Sequence, residues 1–218
     1  MVNLAVYVLR ILFLYPLLIH TSNTYAQNTL NWVLESDGDE ILIHSRPHKE
    51  GLVEIRARTV IPTSYGAFMM LLEDTSNVPN WIDNVEHSRV LKKLSQHENI
   101  VYTQFSAPWP ASNRDMVTYS SYYIDEHSFT LTIKDATQDM MPKQQGYIRI
   151  HSVSASWSLQ KLTDGKTLIE YTAFANPGGA LPNWLINRLA EQSAKKTFLK
   201  LREQLPRYQG LLHPSIKD

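Results

Sequence analysis

The 218-residue chain contains no cysteine. Disulfides, thiolate metal sites and a cysteine nucleophile are therefore all excluded. It has no run of Lys or Arg, and its 21 basic residues balance 21 acidic ones. Neither a nucleic-acid partner nor a polybasic membrane tether is indicated. No linker rich in Pro, Gly or Ser interrupts it, and it has no internal repeat, so one domain is expected. Catalytic signatures are missing too. There is no Gly-x-Ser-x-Gly elbow, no His-Glu-x-x-His pair and no phosphate loop. The histidines are scattered without ligand spacing, and Asp37-Gly38-Asp39-Glu40 lacks the rest of a calcium loop. No cofactor or metal is called for.

What is present begins with an apolar N-terminus. Met1 to Ile19 carries one charge, Arg10. The run Ile11 to Ile19 falls short of the about 20 apolar residues that a membrane span needs. Thr24-Tyr25-Ala26 then supplies a small-x-small pattern. Residues 1–26 thus read as a signal peptide cut before Gln27, which predicts a periplasmic or secreted protein. A retained membrane anchor is the alternative.

Asn28 to Leu34 reads as a short leading helix or turn carrying Trp32, and Asp37-Gly38-Asp39 as a turn. Ile41 to His44 reads as a strand. So does Leu52 to Val60, where Val53, Ile55 and Ala57 alternate with Glu54, Arg56 and Arg58. A helix is predicted over Tyr65 to Leu72, then a polar loop over Glu73 to Asn80. Further strands are predicted around Val85 to Leu94, Ile100 to Phe105, Met116 to Ile124, Phe129 to Ala136, Tyr147 to Leu159 and Lys166 to Phe174, as an antiparallel meander. From Leu181 to Leu205 the period becomes helical. Leu185, Leu189, Leu201 and Leu205, with Ala190, Ala194 and Phe198, share a stripe. One long amphipathic helix laid across a bent sheet can leave an apolar hollow between them.

Two stretches carry a specific resemblance. One is Pro108-Trp109-Pro110-Ala111-Ser112-Asn113-Arg114-Asp115. The other runs from Gly146-Tyr147-Ile148-Arg149-Ile150 through Trp157-Ser158-Leu159 and Tyr171 to Asn176-Pro177-Gly178-Gly179-Ala180-Leu181-Pro182-Asn183-Trp184. In order and spacing they resemble the START (StAR-related lipid-transfer) domain family, and within it the phosphatidylcholine transfer protein branch. The resemblance covers about residues 28 to 208, and the domain is placed at 27–218. It implies an α+β helix-grip (START/Bet v 1-like) fold, a curved antiparallel sheet around a long C-terminal helix with an internal cavity. It also implies a lipid or hydrophobic small molecule as partner and allows transient membrane contact; a monomer is the default expectation.

The same resemblance defines the expected lining: Trp81, Thr103, Phe105, Met116, Thr118, Arg149, Val153, Ala155, Tyr171, Trp184, Leu185 and Leu189. Where that branch has an aromatic choline cage, this chain has Thr103, Met116 and Val153. Its phosphate-facing positions fall on Val78 and Ala155, and Ser120 replaces the arginine of the sterol-carrying branch. A neutral or weakly polar lipid is therefore expected in place of phosphatidylcholine. Arg149 or His151 would meet a carboxylate if it faced inward, but a structural pairing of Arg149 is the stronger expectation. Arg114 and Asp115 are read as an ion pair, or as backbone hydrogen bonds, fixing a bend. Gly178-Gly179 reads as a tight connection or hinge. The alternative function is a helix-grip enzyme, cyclase- or hydrolase-like, acting on a hydrophobic substrate.

Overall fold

A computed structural model describes residues 31–107, 111–136 and 140–216. The proposed signal peptide, Asn28 to Leu30 of the leading segment and Pro108-Trp109-Pro110 lie outside them.

Strands β1 (Val33–Gly38), β2 (Ile41–Pro47) and β3 (Val53–Ile61) pair as consecutive antiparallel neighbours. Asp39 and Glu40 join β1 to β2, both at φ 58°. This is the two-residue hairpin geometry that suits the right-handed twist of the flanking strands. Alternation is kept in β3, where Ile55, Ala57 and Ile61 are buried and Arg56 and Arg58 lie on the opposite face. The segment expected to lead as a helix or turn instead enters an edge strand. Val33 faces Ser45 and Leu34 faces His44 in the ladder. Trp32 just before it lies 4.5 Å from the Arg46 guanidinium and 4.3 Å from that of Arg56.

Helix α1 (Tyr65–Glu73) starts where the Ser64 hydroxyl accepts the Ala67 amide at 3.1 Å. It buries Tyr65, Phe68, Met69 and Leu71. The predicted polar loop contains one more turn of helix, α2 (Val78–Trp81), opened by Pro79. These helices carry the chain to the far edge of the sheet. Strands β4 (Val85–Lys93), β5 (Glu98–Phe105), β6 (Asn113–Ile124) and β7 (Ser128–Asp135) then return as an antiparallel meander.

The expected single strand from Tyr147 to Leu159 divides in two. Strand β8 (Tyr147–Arg149) runs parallel to β6, and β9 (His151–Lys161) runs antiparallel to β7. The break follows from competing partners. The Ile150 amide bonds to the Asp115 carbonyl at 2.8 Å, and Ser152 turns to φ 56°. Strand β10 (Thr167–Asn176) closes the order β1-β2-β3-β10-β9-β7-β6-β5-β4. The meander is therefore interrupted: β3 and β10 are neighbours in space across more than a hundred residues of chain.

Helix α3 (Asn183–Gln204) follows, preceded by Pro182. Gly178 and Gly179 connect it to β10 at φ 62° and 81°. A Cβ on either would come 3.1 Å from Ile148, so this turn is both left-handed and crowded. The solid core lies beneath the C-terminal half of α3. Trp157 is its centre: Phe198 stacks on it at 5.7 Å, Phe68 lies at 5.3 Å and Trp81 at 5.9 Å. Phe198, Leu201 and Leu205 are fully buried there. Phe198→Ala removes the face packed on Trp157 and is expected to lower unfolding free energy by about 3–5 kcal/mol in urea titration.

Candidate functional site

Under the N-terminal half of α3 the interior is not filled. A cavity of about 710 Å³ lies between that helix and the sheet. Pleating explains its wall: along β6 the side chains of Arg114, Met116, Thr118 and Ser120 all point to one face. Thr103 and Phe105 of β5 extend the wall, as do Val153, Ala155 and Trp157 of β9 and Tyr171 and Ala173 of β10. Helix α3 supplies Ile186, Leu189, Ala190, Ser193, Ala194 and Thr197, and α2 supplies Val78 and Trp81.

Of the twelve residues expected in the lining, nine are on this wall: Trp81, Thr103, Phe105, Met116, Thr118, Val153, Ala155, Tyr171 and Leu189. Three are elsewhere. Trp184 is 66% exposed on the first turn of α3. Leu185 is turned off the wall, and Ile186 occupies the wall in its place. The cause is the docking of the helix start. Asn183 donates to the Glu50 carbonyl at 2.7 Å, and Asn187 donates to the Gly51 carbonyl and accepts from the Val53 amide, both at 3.2 Å. With these two asparagines facing β3, the stripe that points inward is Ile186, Leu189, Ala190 and Ser193.

Arg149 is the third. It grips Asp115 with two bonds, Nε to Oδ1 at 2.7 Å and Nη2 to Oδ2 at 3.1 Å. It also donates to the carbonyls of Met141 and Pro142. Asp115, 1% exposed, accepts a further bond from Tyr102 at 3.0 Å. Two bonds in a fork, with the carboxylate's remaining capacity filled, is the arrangement that makes a buried pair tolerable. It locks β8 onto β6 and β5. His151 is exposed, and its Nδ1 meets the Ser152 hydroxyl at 3.3 Å. So Arg114 and Asp115 do not pair with each other: Asp115 takes Arg149, and Arg114 donates to the Ser112 carbonyl.

Most polar groups on the wall are already engaged. The Ser88 and Thr103 hydroxyls meet at 3.3 Å, and Ser120 donates to Asn99 at 2.5 Å. Asp83 is bonded by Lys200 at 3.3 Å, and its amide donates to Thr197 at 3.0 Å. Glu73 meets His213 at 3.0 Å. Burial pushes the Tyr171 phenol up to about 12. Among the described residues no group of three or more metal-ligating side chains gathers. Reasoning from the sequence missed Arg114, Ile186 and Ser88 as wall residues. Arg114 lies two residues before Met116 on the same face of β6, but the strand predicted from the sequence began only at Met116.

A curved antiparallel sheet gripping one long helix, with an apolar hollow between them, defines the helix-grip class of ligand-binding folds. Residues 23–209 match the START domain family, and the chain belongs to it. An uncharacterized protein of Pseudomonas aeruginosa is 25% identical over 79% of this chain and 85% of its own length. Human phosphatidylcholine transfer protein is 32% identical, over 47% of this chain and 50% of its own. The chain thus spans about half the length of the human relative. Among solved structures, a STAR-related lipid transfer protein of Xanthomonas axonopodis superposes with a TM-score of 0.72 at 28% identity. That match covers 80% of this chain and 98% of the other.

Two predictions follow from this geometry. Asp115→Ala removes the buried carboxylate that holds the half-buried Arg149 charge and is expected to cost about 3–5 kcal/mol in chemical denaturation. Tyr102 and Tyr171 both have phenols raised from 10.0 to about 12, first of all by burial. Their un-ionised forms are favoured in the fold, so their contribution is complete below pH 10 and lost as pH rises towards 12. Tm measured across that range is expected to fall, and to fall less steeply in Tyr171→Phe.

Proposed function

We propose that this chain binds one lipid or similarly apolar molecule in the cavity under α3 and carries it between membranes. The observation that carries the reading is the hollow of about 710 Å³ under α3 with a mainly hydrocarbon wall. A void of that size lined by Met116, Val153, Ala155, Leu189 and Trp157 forfeits packing contacts unless something fills it. Each methylene buried there would contribute about 0.8 kcal/mol, so a long acyl or isoprenoid chain needs no elaborate headgroup lock. Membership of the START family and the likeness to lipid transfer proteins support the same reading.

The ligand is a neutral or weakly polar lipid and not phosphatidylcholine. The positions that would form a choline cage present Thr103, Met116 and Val153, and those that would meet its phosphate present Val78 and Ala155. The protein acts as a monomer outside the cytoplasm, touching membranes transiently to load and unload. Export through residues 1–26 is checked by intact mass, which is expected to correspond to a chain beginning at Gln27. A mass that retains Met1 to Ala26 would contradict export by cleavage.

Ala155→Trp tests the binding claim by filling the hollow from β9. Uptake of a fluorescent long-chain acyl probe is expected to fall by about tenfold or more, the loss of roughly two buried methylenes' worth of free energy. Circular dichroism should be unchanged. Unaltered uptake in a folded Ala155→Trp protein would remove the cavity as the binding site.

A further inference from the structure

Arg114 is the unusual residue of the wall. Its side chain is buried, 7% exposed, and it lines the cavity near the entrance of β6. Its Nη1 donates to the Ser112 carbonyl, and its Nε has no hydrogen-bond partner among the described residues. No carboxylate among the described residues pairs with it, because the adjacent Asp115 is consumed by Arg149 and Tyr102. A guanidinium is never discharged at ordinary pH, so this is a buried positive charge without compensation. Burial lowers its pKa, with no charged neighbour contributing. Such a group is costly in an apolar setting unless a counter-charge arrives.

The surroundings say where that counter-charge would come from. Arg114 faces the same space as Met116, Thr118 and Ser120, six residues and so about 20 Å of strand from one end to the other. At the Arg114 end the wall includes Ile150, Pro177 and Leu181. The Gly178-Gly179 turn stands beside it: a Cβ on Gly179 would come 3.5 Å from Arg114 Nη2. The charge therefore stands at one end of an elongated apolar hollow, beside the turn that starts α3.

We infer that Arg114 receives the oxyanion head, carboxylate or phosphate monoester, of a single-chain amphiphile whose tail lies along β6 towards Ser120. This rests on the lipid-binding reading above and departs from it on one point: the ligand carries a single anionic head, where the wall without Arg114 would suit a neutral or weakly polar lipid. The planar fork matches a carboxylate or a terminal phosphate, and a charge-assisted bond to a buried guanidinium outweighs a neutral one.

The test compares oleic acid, methyl oleate and oleoyl lysophosphatidic acid on the purified wild-type protein at pH 8, each displacing an uncharged pyrene-labelled hydrocarbon. Inorganic phosphate alone is the control for a free ion. At least one of the two anionic amphiphiles is expected to bind about tenfold more tightly than methyl oleate. Which of them does so tells carboxylate from phosphate. In Arg114→Met the ratio collapses to about one. Should that variant not fold, the wild-type ratio still decides. Equal affinity of all three for the wild type, a ratio unchanged in Arg114→Met, or displacement by inorganic phosphate alone would overturn the inference while leaving lipid binding in place. Binding of none of the three would overturn the lipid-binding reading and this inference together.

Discussion

Helix α3 is fastened to the sheet at its two ends by different forces, and the interior between those fastenings is what a ligand could use. At its start, Asn183 and Asn187 bond backbone groups of residues 50 to 53. At its end, Phe198, Leu201 and Leu205 sink into the core around Trp157. Between them the helix offers small side chains, Ala190, Ser193 and Ala194, to a sheet that curves away. Residues of that size cannot reach across, so the space stays open. Trp157 marks the boundary, packing against Phe198 on one side and lining the hollow on the other.

Charge is distributed by one carboxylate with two candidate partners. Asp115 lies next to Arg114 in sequence, but on a strand successive side chains point to opposite faces. It therefore meets Arg149 on β8 behind the wall, and Arg114 is left facing the hollow. The pair that holds β8 in place lies on the other face of β6, and among the described residues no carboxylate faces Arg114. Structural and functional readings of the Arg114-Asp115 motif divide between its two residues.

Much of this was legible beforehand, because it rests on periodicity. Alternation in Leu52 to Val60 matches the buried face of β3, Ile55 and Ala57, while Met116 and Thr118 were expected on the wall from the START resemblance, not from periodicity. The 3.6-residue stripe placed Leu189, Ala194, Phe198 and Leu201 on the buried side of α3. What could not be read depended on partners distant in sequence. Trp184 and Leu185 were expected inside, but the rotation of α3 is set by hydrogen bonds from Asn183 and Asn187 to residues 50–53, more than a hundred positions earlier. Arg149 was assigned to the wall although pairing was the stronger expectation; its partner across β6 settles its direction. The leading segment became strand because β2 offered it an open ladder, which local propensity does not reveal. The split between β8 and β9 likewise reflects competition between β6 and β7 for one stretch of chain.

The central claim is that the hollow beneath α3 is a lipid site. Native mass spectrometry of the protein purified without detergent tests it most directly. The account predicts a single adduct of lipid mass at one copy per chain, removed by organic extraction and restored when an acyl lipid is added back. A protein that carries only its own mass before extraction, and takes up no acyl or sterol probe afterwards, would contradict it.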